Sequence, residues 1–243
     1  MTVRKSAFAL TAQEQQRYIN VINQLNSGPP TTIYGKYVGF HRDMRHVMHS
    51  SMGPIGTQRF LPWHRDFLLQ MEKEMQKIDS QAFIPYWRWS VNRKLPPWIT
   101  SFLPTVGVPA VLSMPGMPPT PAVTVHVTRS AHHTVGLPSV AQINSLDANT
   151  NLSYTQFTSL LEGYHNTVHG WVGGTMNDIT VSPADPVFWM HHTEIDRIWA
   201  AWQANPANVN KAPVLTGNTA TMDPWAETAT QLQSIAALGY SYL

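Results

Sequence analysis

Apolar residues recur at helical spacing in several stretches of the chain, and the places where that rhythm breaks delimit its elements. Thr11 and Glu14 form a capping-box pair. Tyr18, Ile19, Ile22 and Leu25 then share one face until Gly28-Pro29-Pro30 stops the helix. Beyond the prolines, Tyr34, Tyr37, Val38 and His41 lie on one face of a second helix, which fades between Val47 and Met52 ahead of Gly53-Pro54. A loop over residues 50–59 leads to a third helix expected to open at Pro62, a residue suited to a first helical turn, with His64 at its start. Trp63, Phe67, Leu68, Met71, Met75 and Ile78 give that helix an apolar stripe, with Glu72, Lys73, Glu74 and Lys77 mostly opposite, which is the pattern of a core-facing helix.

The middle of the chain is different. Residues 83–89 form a short aromatic segment expected to lie across the bundle, and the eight prolines between residues 95 and 122 exclude a long helix, leaving an ordered irregular connection or a lid. Residues 123–127 suit a short strand. Helical periodicity resumes over residues 154–169 and stops at Trp171-Val172-Gly173-Gly174, then returns over residues 187–203. The tail from residue 205 is polar and loop-rich apart from an expected final helix over residues 226–238. No repeat of solenoid period is present. The pattern predicts a mainly α fold in a single domain spanning residues 1–243.

Composition narrows the partners. Only 12% of residues are charged, 10% are aromatic and 9 are Trp, which favours a compact aromatic interior over a disordered chain. The net charge is +2 with the 16 Lys and Arg scattered, so no phosphate-tracking surface is expected and nucleic acid is not a predicted partner. Cys is absent, which excludes disulfides, thiolate zinc and iron–sulfur clusters and leaves imidazole as the softest common ligand. The N-terminal residues turn polar at Thr11, too soon for a signal-peptide core, and no apolar run is long enough to span a membrane. The expectation is a soluble, cytoplasmic protein unless another protein carries it out.

The candidate chemistry lies in the 11 histidines. His165 and His169 are four apart on one helix face and can address one metal ion, and His191 or His192 comes in from the next helix, with Asp196 one turn beyond. His41, His46, His49 and His64 form a second cluster of the same kind, whereas His126, His132 and His133 fall in the irregular region and are assigned surface or structural roles. Two like clusters suggest two like metals. Three imidazoles per site without matching carboxylates favour copper or zinc over calcium or magnesium. Glu162-x-x-His165 is half of a di-iron pattern, but no second half exists. The residue after His165 is Asn166, which cannot be the general base of a zinc peptidase.

His165-Asn166-Thr167-Val168-His169, Trp171-Val172-Gly173-Gly174, the run from Ser182 through Asp185-Pro186-Val187-Phe188-Trp189-Met190-His191-His192, Asp196-Arg197-Ile198-Trp199 and Phe60-Leu61-Pro62-Trp63-His64-Arg65 together resemble the type-3 copper proteins, in particular the small bacterial tyrosinases. The resemblance implies a four-helix bundle holding two copper ions, each on three imidazoles, with O2 as co-substrate and small phenols as substrates. It assigns His165, His169 and His192 to the second copper, with His191 a neighbour, and His41 and His64 to the first. The family's usual middle ligand of the first copper falls here at Ile55; His49 is taken instead, with His46 in reserve. Asn166, and Glu162 with it, match residues proposed in such enzymes to orient a water that deprotonates the phenol, although Glu162 stands closer to His165 than its counterparts do. Asp185 and Asp196 are candidates either for holding the imidazoles in one tautomer or for ordinary capping and ion pairing. The implied activity is ortho-hydroxylation of monophenols and oxidation of diphenols to quinones, with catechol oxidase, o-aminophenol oxidase or a haemocyanin-like oxygen carrier as alternatives. Some bacterial relatives receive copper from a separate delivery protein, the one protein partner the resemblance allows.

Overall fold

The computed structural model describes residues 1–28, 31–130 and 136–243. His132 and His133 lie outside the described residues. Six α-helices carry most of the regular structure: α1 (Ala12–Leu25), α2 (Ile33–Arg42), α3 (Pro54–Ile78), α4 (Val140–Ala148), α5 (Tyr154–Val172) and α6 (Pro186–Ala204). The Thr11–Glu14 capping box forms as expected at the start of α1. Helix α3 packs against α1, α5 and α6, and α5 packs against α6. Four of the helices, α2, α3, α5 and α6, each bring at least one of the predicted histidines inward. No helix among the described residues is long and apolar enough to cross a membrane.

Helix α3 begins eight residues before the expected Pro62, at Pro54, so that Pro62 and His64 sit inside a 25-residue helix. An internal proline leaves the carbonyl four residues back without its helical donor. That carbonyl belongs to Gln58, and the Tyr154 hydroxyl of α5 donates to it at 3.1 Å. A tertiary contact thus replaces the bond that Pro62 removes. Glu72 does not lie on the solvent side of α3: it is 2% exposed and receives both Nε and Nη2 of the buried Arg4 at 3.1 Å. The apolar stripe is as predicted in the core, with Phe67, Leu68, Met71 and Met75 fully buried.

Helix α2 ends at Arg42, because Asp43 accepts from the Arg45 backbone N–H and turns the chain into a short 3-10 segment, Met44–His46. Val47 follows at φ 49°, a conformation that costs a β-branched residue about 1–3 kcal/mol. His49 is in extended backbone immediately after this bend, before a second short 3-10 segment.

Two small sheets complete the fold. Strand β2 (Thr105–Val108) pairs antiparallel with β3 (Val123–His126), so the proline-rich connection includes one strand and leads into the other, the expected one. Strand β1 (Thr2–Arg4) pairs parallel with β4 (Tyr240–Tyr242), drawing the two ends of the chain together. The expected final helix over residues 226–238 is absent. Only a 3-10 turn at Gln231–Gln233 forms, and the Thr228 and Gln231 side chains satisfy each other and the local backbone there. Helix α4 and the β1–β4 pair had no counterpart in the periodicity.

Candidate metal centre

The bundle places seven of the histidines in two groups. The ligating atoms of His41, His49 and His64 lie within 4.8 Å of one another, and so do those of His165, His169, His191 and His192. The groups abut: the His64 and His192 rings stack with centroids 4.5 Å apart. Within the first group the Nε2 atoms of His41 and His49 are 3.2 Å apart. Within the second, His192 Nε2 is 3.1 Å from His165 Nε2 and 3.4 Å from His169 Nε2.

The opposite ring nitrogens explain which way these imidazoles face. His41 Nδ1 meets the Ile179 carbonyl at 3.0 Å, His64 Nδ1 the Phe60 carbonyl at 2.7 Å, and His169 Nδ1 the Met176 carbonyl at 2.5 Å. A carbonyl only accepts, so each Nδ1 must carry the proton and each Nε2 presents a lone pair. His165 Nδ1 meets Asn166 Oδ1 at 3.0 Å, and His49 Nδ1 meets Glu162 Oε1 at 3.3 Å, which sets the same tautomer. Lone pairs facing one another at such distances repel unless a cation sits among them. Two nitrogens each bound at about 2.0 Å to one ion in near-tetrahedral geometry would be about 3.3 Å apart, close to the separations here. His64 Nε2, buried and without a partner in the protein, is the donor such an ion would satisfy.

Electrostatics agree with this. Burial, reinforced by neighbouring imidazoles, pushes His41, His64, His165 and His192 well below the usual histidine range, and burial holds His169 down to about 4. All five are neutral at pH 7, the form that binds a metal. The donor set contains no carboxylate and no thiolate, which fits copper well.

The remaining candidates fall into place around this centre. His46 turns away, with Nδ1 on Asp223, and stacks on Trp63. Ile55 is 44% exposed. His191 is fully buried beside His165, their ring centroids 5.0 Å apart. Glu162, on α5 one turn before His165, is 3% exposed and accepts from the Ser50 backbone N–H at 3.0 Å as well as from His49. Asn166 is exposed beside His165. Neither aspartate in question holds an imidazole. Asp185 caps α6 through the Val187 N–H and pairs with Arg129; Asp196 receives Arg65, Arg4, Tyr240 and Tyr242. His126, on β3, interacts with Thr105 Oγ1 at 3.0 Å. Sequence reasoning missed the carbonyls of Phe60, Met176 and Ile179, because a backbone group has no signature in residue type.

A cavity of about 230 Å³ opens beside both groups, walled by His41, His49, His165 and His169 together with Asn166, Met176, Asn177, Ile179 and Ser182. Two facing sets of three imidazoles in a helical bundle, reached from one cavity, define a dinuclear copper protein of the type-3 class. The model of the common central domain of tyrosinase matches residues 31–205. A tyrosinase of Streptomyces lincolnensis is 35% identical over 94% of both chains, and one of Streptomyces antibioticus is 33% identical over the same shares. Among solved structures, a polyphenol oxidase mutant from Thermothelomyces thermophila has a TM-score of 0.73 at 19% identity, covering 100% of this chain and 89% of its own. An octopus haemocyanin functional unit reaches 0.66 at 19%, covering 100% and 68%. The chain belongs to the tyrosinase family, copper oxidoreductases that hold two copper ions.

Proposed function

We propose that this protein is a tyrosinase in activity as well as in family: it hydroxylates small monophenols at the ortho position and oxidises the diphenol to the o-quinone. The first copper would be held by His41, His49 and His64 and the second by His165, His169 and His192. Bound there, the copper pair supplies the electrons that activate O2. Overall, one phenol and one O2 give one o-quinone and one water. The observation that carries the reading is the open cavity whose wall is made of histidines from both groups, so a ring entering it meets both sites. A pure oxygen carrier has no need of such access.

The protein's own residues contribute in two ways. The Nδ1 acceptors hold the rings in one tautomer and one orientation, which is how a surrounding shell raises metal affinity and tunes its chemistry. Glu162 takes this part for His49 from behind the ring and does not line the cavity. Asn166 also acts on the substrate side, since its Oδ1 is on His165 Nδ1 and its carboxamide N–H groups, at the cavity wall, are suited to orient a water that takes the phenol proton. A copper-delivery partner belongs to the same proposal, as does a cytoplasmic site of action.

Oxygen uptake by the copper-loaded protein distinguishes the options. Uptake with both 4-methylphenol and 4-methylcatechol supports the tyrosinase reading. Uptake with the catechol alone makes the protein a catechol oxidase, and uptake only with o-aminophenol an aminophenol oxidase. Asn166→Ala also removes the His165 support. Assayed with both copper sites confirmed filled, it is expected to cut monophenol turnover by about 10²-fold, the lower range for a lost proton-transfer step, while leaving catechol turnover within about threefold. Equal losses on both substrates would remove the water-orienting role.

A further inference from the structure

The wall of the cavity is largely apolar, with a few polar groups. Besides the site histidines it is made by Asn166, Met176, Asn177, Ile179 and Ser182, and none of these is Asp, Glu, Lys or Arg. Residues 131–135, outside the described structure, contain no such residue either. Three charged side chains adjoin wall residues, and none lines the cavity. Glu162 lies behind His49, 3% exposed and engaged by that ring and by the Ser50 N–H. Asp178 is turned onto Thr180, accepting from its N–H at 2.9 Å and its hydroxyl at 2.7 Å. Arg42 is opposed by that same Asp178, and its Nε and Nη1 are shut from solvent. Asn177 is exposed at the wall, and no side-chain hydrogen bond engages its carboxamide among the described residues, so a donor and an acceptor both face an incoming ring.

Size points the same way. A cavity of about 150 Å³ already accepts benzene, so about 230 Å³ admits one ring and a short substituent. A charge on that substituent would lose part of its hydration against walls that offer no counter-charge, whereas a hydroxyl, amide or alkyl group would lose little.

On the reading of the site as a phenol oxidase, we infer that its substrates are single-ring phenols or catechols with a short uncharged substituent, and that Asn177 sets this selectivity. The zwitterionic aromatic amino acids are then poor substrates. Asn177 touches the ring substituent and takes no part in the redox step, so its replacement acts on KM and spares kcat.

The test compares 4-methylcatechol, dopamine, homoprotocatechuate and dopa as substrates of the copper-loaded wild-type, Asn177→Asp and Asn177→Arg proteins. For the wild type, 4-methylcatechol is expected to show the lowest KM among these substrates. Asn177→Asp should lower KM for dopamine relative to that for 4-methylcatechol about three- to fivefold, the scale of one exposed ion pair, and Asn177→Arg should do the same for homoprotocatechuate. A wild-type preference for dopa or homoprotocatechuate, or variants that leave the ratios unchanged, would overturn the inference. Binding of benzyl alcohol, phenylacetate and benzylamine, read by calorimetry, gives the same ordering without turnover. A protein that oxidises no phenol therefore loses the reading of its function while its selectivity is still decided by that ordering, tightest for benzyl alcohol if the inference holds.

Discussion

The second nitrogen of a ligating imidazole fixes its tautomer and orientation, and here five of the six are held in three ways: by backbone carbonyls at His41, His64 and His169, by a neighbouring amide at His165 and by a buried carboxylate at His49. The carboxylate is the one that mutation removes cleanly. Glu162→Gln is expected to weaken copper at the first site by about 10–100-fold, the usual effect of losing such a support, while the second site keeps its affinity. Chelator competition measures both constants, and equal weakening of the two would show that Glu162 serves the bundle in general. A different residue makes stability depend on pH. Burial raises the Asp66 carboxyl to about 7, and one of its oxygens has no partner. Because the folded state then holds a proton that the unfolded state has released, stability declines as pH rises from about 4 to about 7. Asp66→Asn should therefore raise the melting temperature at pH 8 by several degrees, at about 2–4 °C per kcal/mol for a chain of this size, and change it little at pH 4. An equal gain at both would rule out this titration as the cause.

Element boundaries decide where these side chains stand. The histidine pair on α5 was legible because helical spacing sets its direction, whereas on α6 spacing left His191 and His192 open and only the family resemblance chose His192. His49 was not legible from spacing, since it lies in extended backbone after a valine at φ 49°, a bend no periodicity reports. The early start of α3 was hidden for a related reason: Pro62 reads as a helix start, and only the distant Tyr154 hydroxyl makes it tolerable as an interior residue. That early first turn matters for the site, because Gly56 lies against the backbone of His49. A Cβ at Gly56 would stand 1.9 Å from the His49 carbonyl oxygen. Gly56→Ala should consequently displace His49, costing about 1–3 kcal/mol of stability and emptying the first site preferentially. Circular dichroism melts and copper analysis test the pair of effects; lost stability with both sites still filled would mean that the loop shifts without moving the ring.

At the scale of the whole molecule, the two chain ends close over the helices that carry the histidines. Arg4 of β1 reaches Glu72 on α3 and Asp196 on α6, while Tyr240 and Tyr242 of β4 reach the same Asp196, four residues beyond His192. This closure depends on residues some two hundred positions apart, so local pattern held no trace of it. The bundle helices and the histidines they carry, by contrast, were legible from motifs confined to single helices. Everything proposed for the protein depends on two sites of three histidines each, and copper content per chain in single-histidine variants tests that most directly. The copper-loaded wild type and His46→Ala should each hold two copper ions, and His49→Ala and His192→Ala one each, lost from different sites. Two ions retained in His49→Ala, with one lost from His46→Ala, would contradict the first site as drawn, and a single ion in the wild type would contradict the dinuclear centre itself.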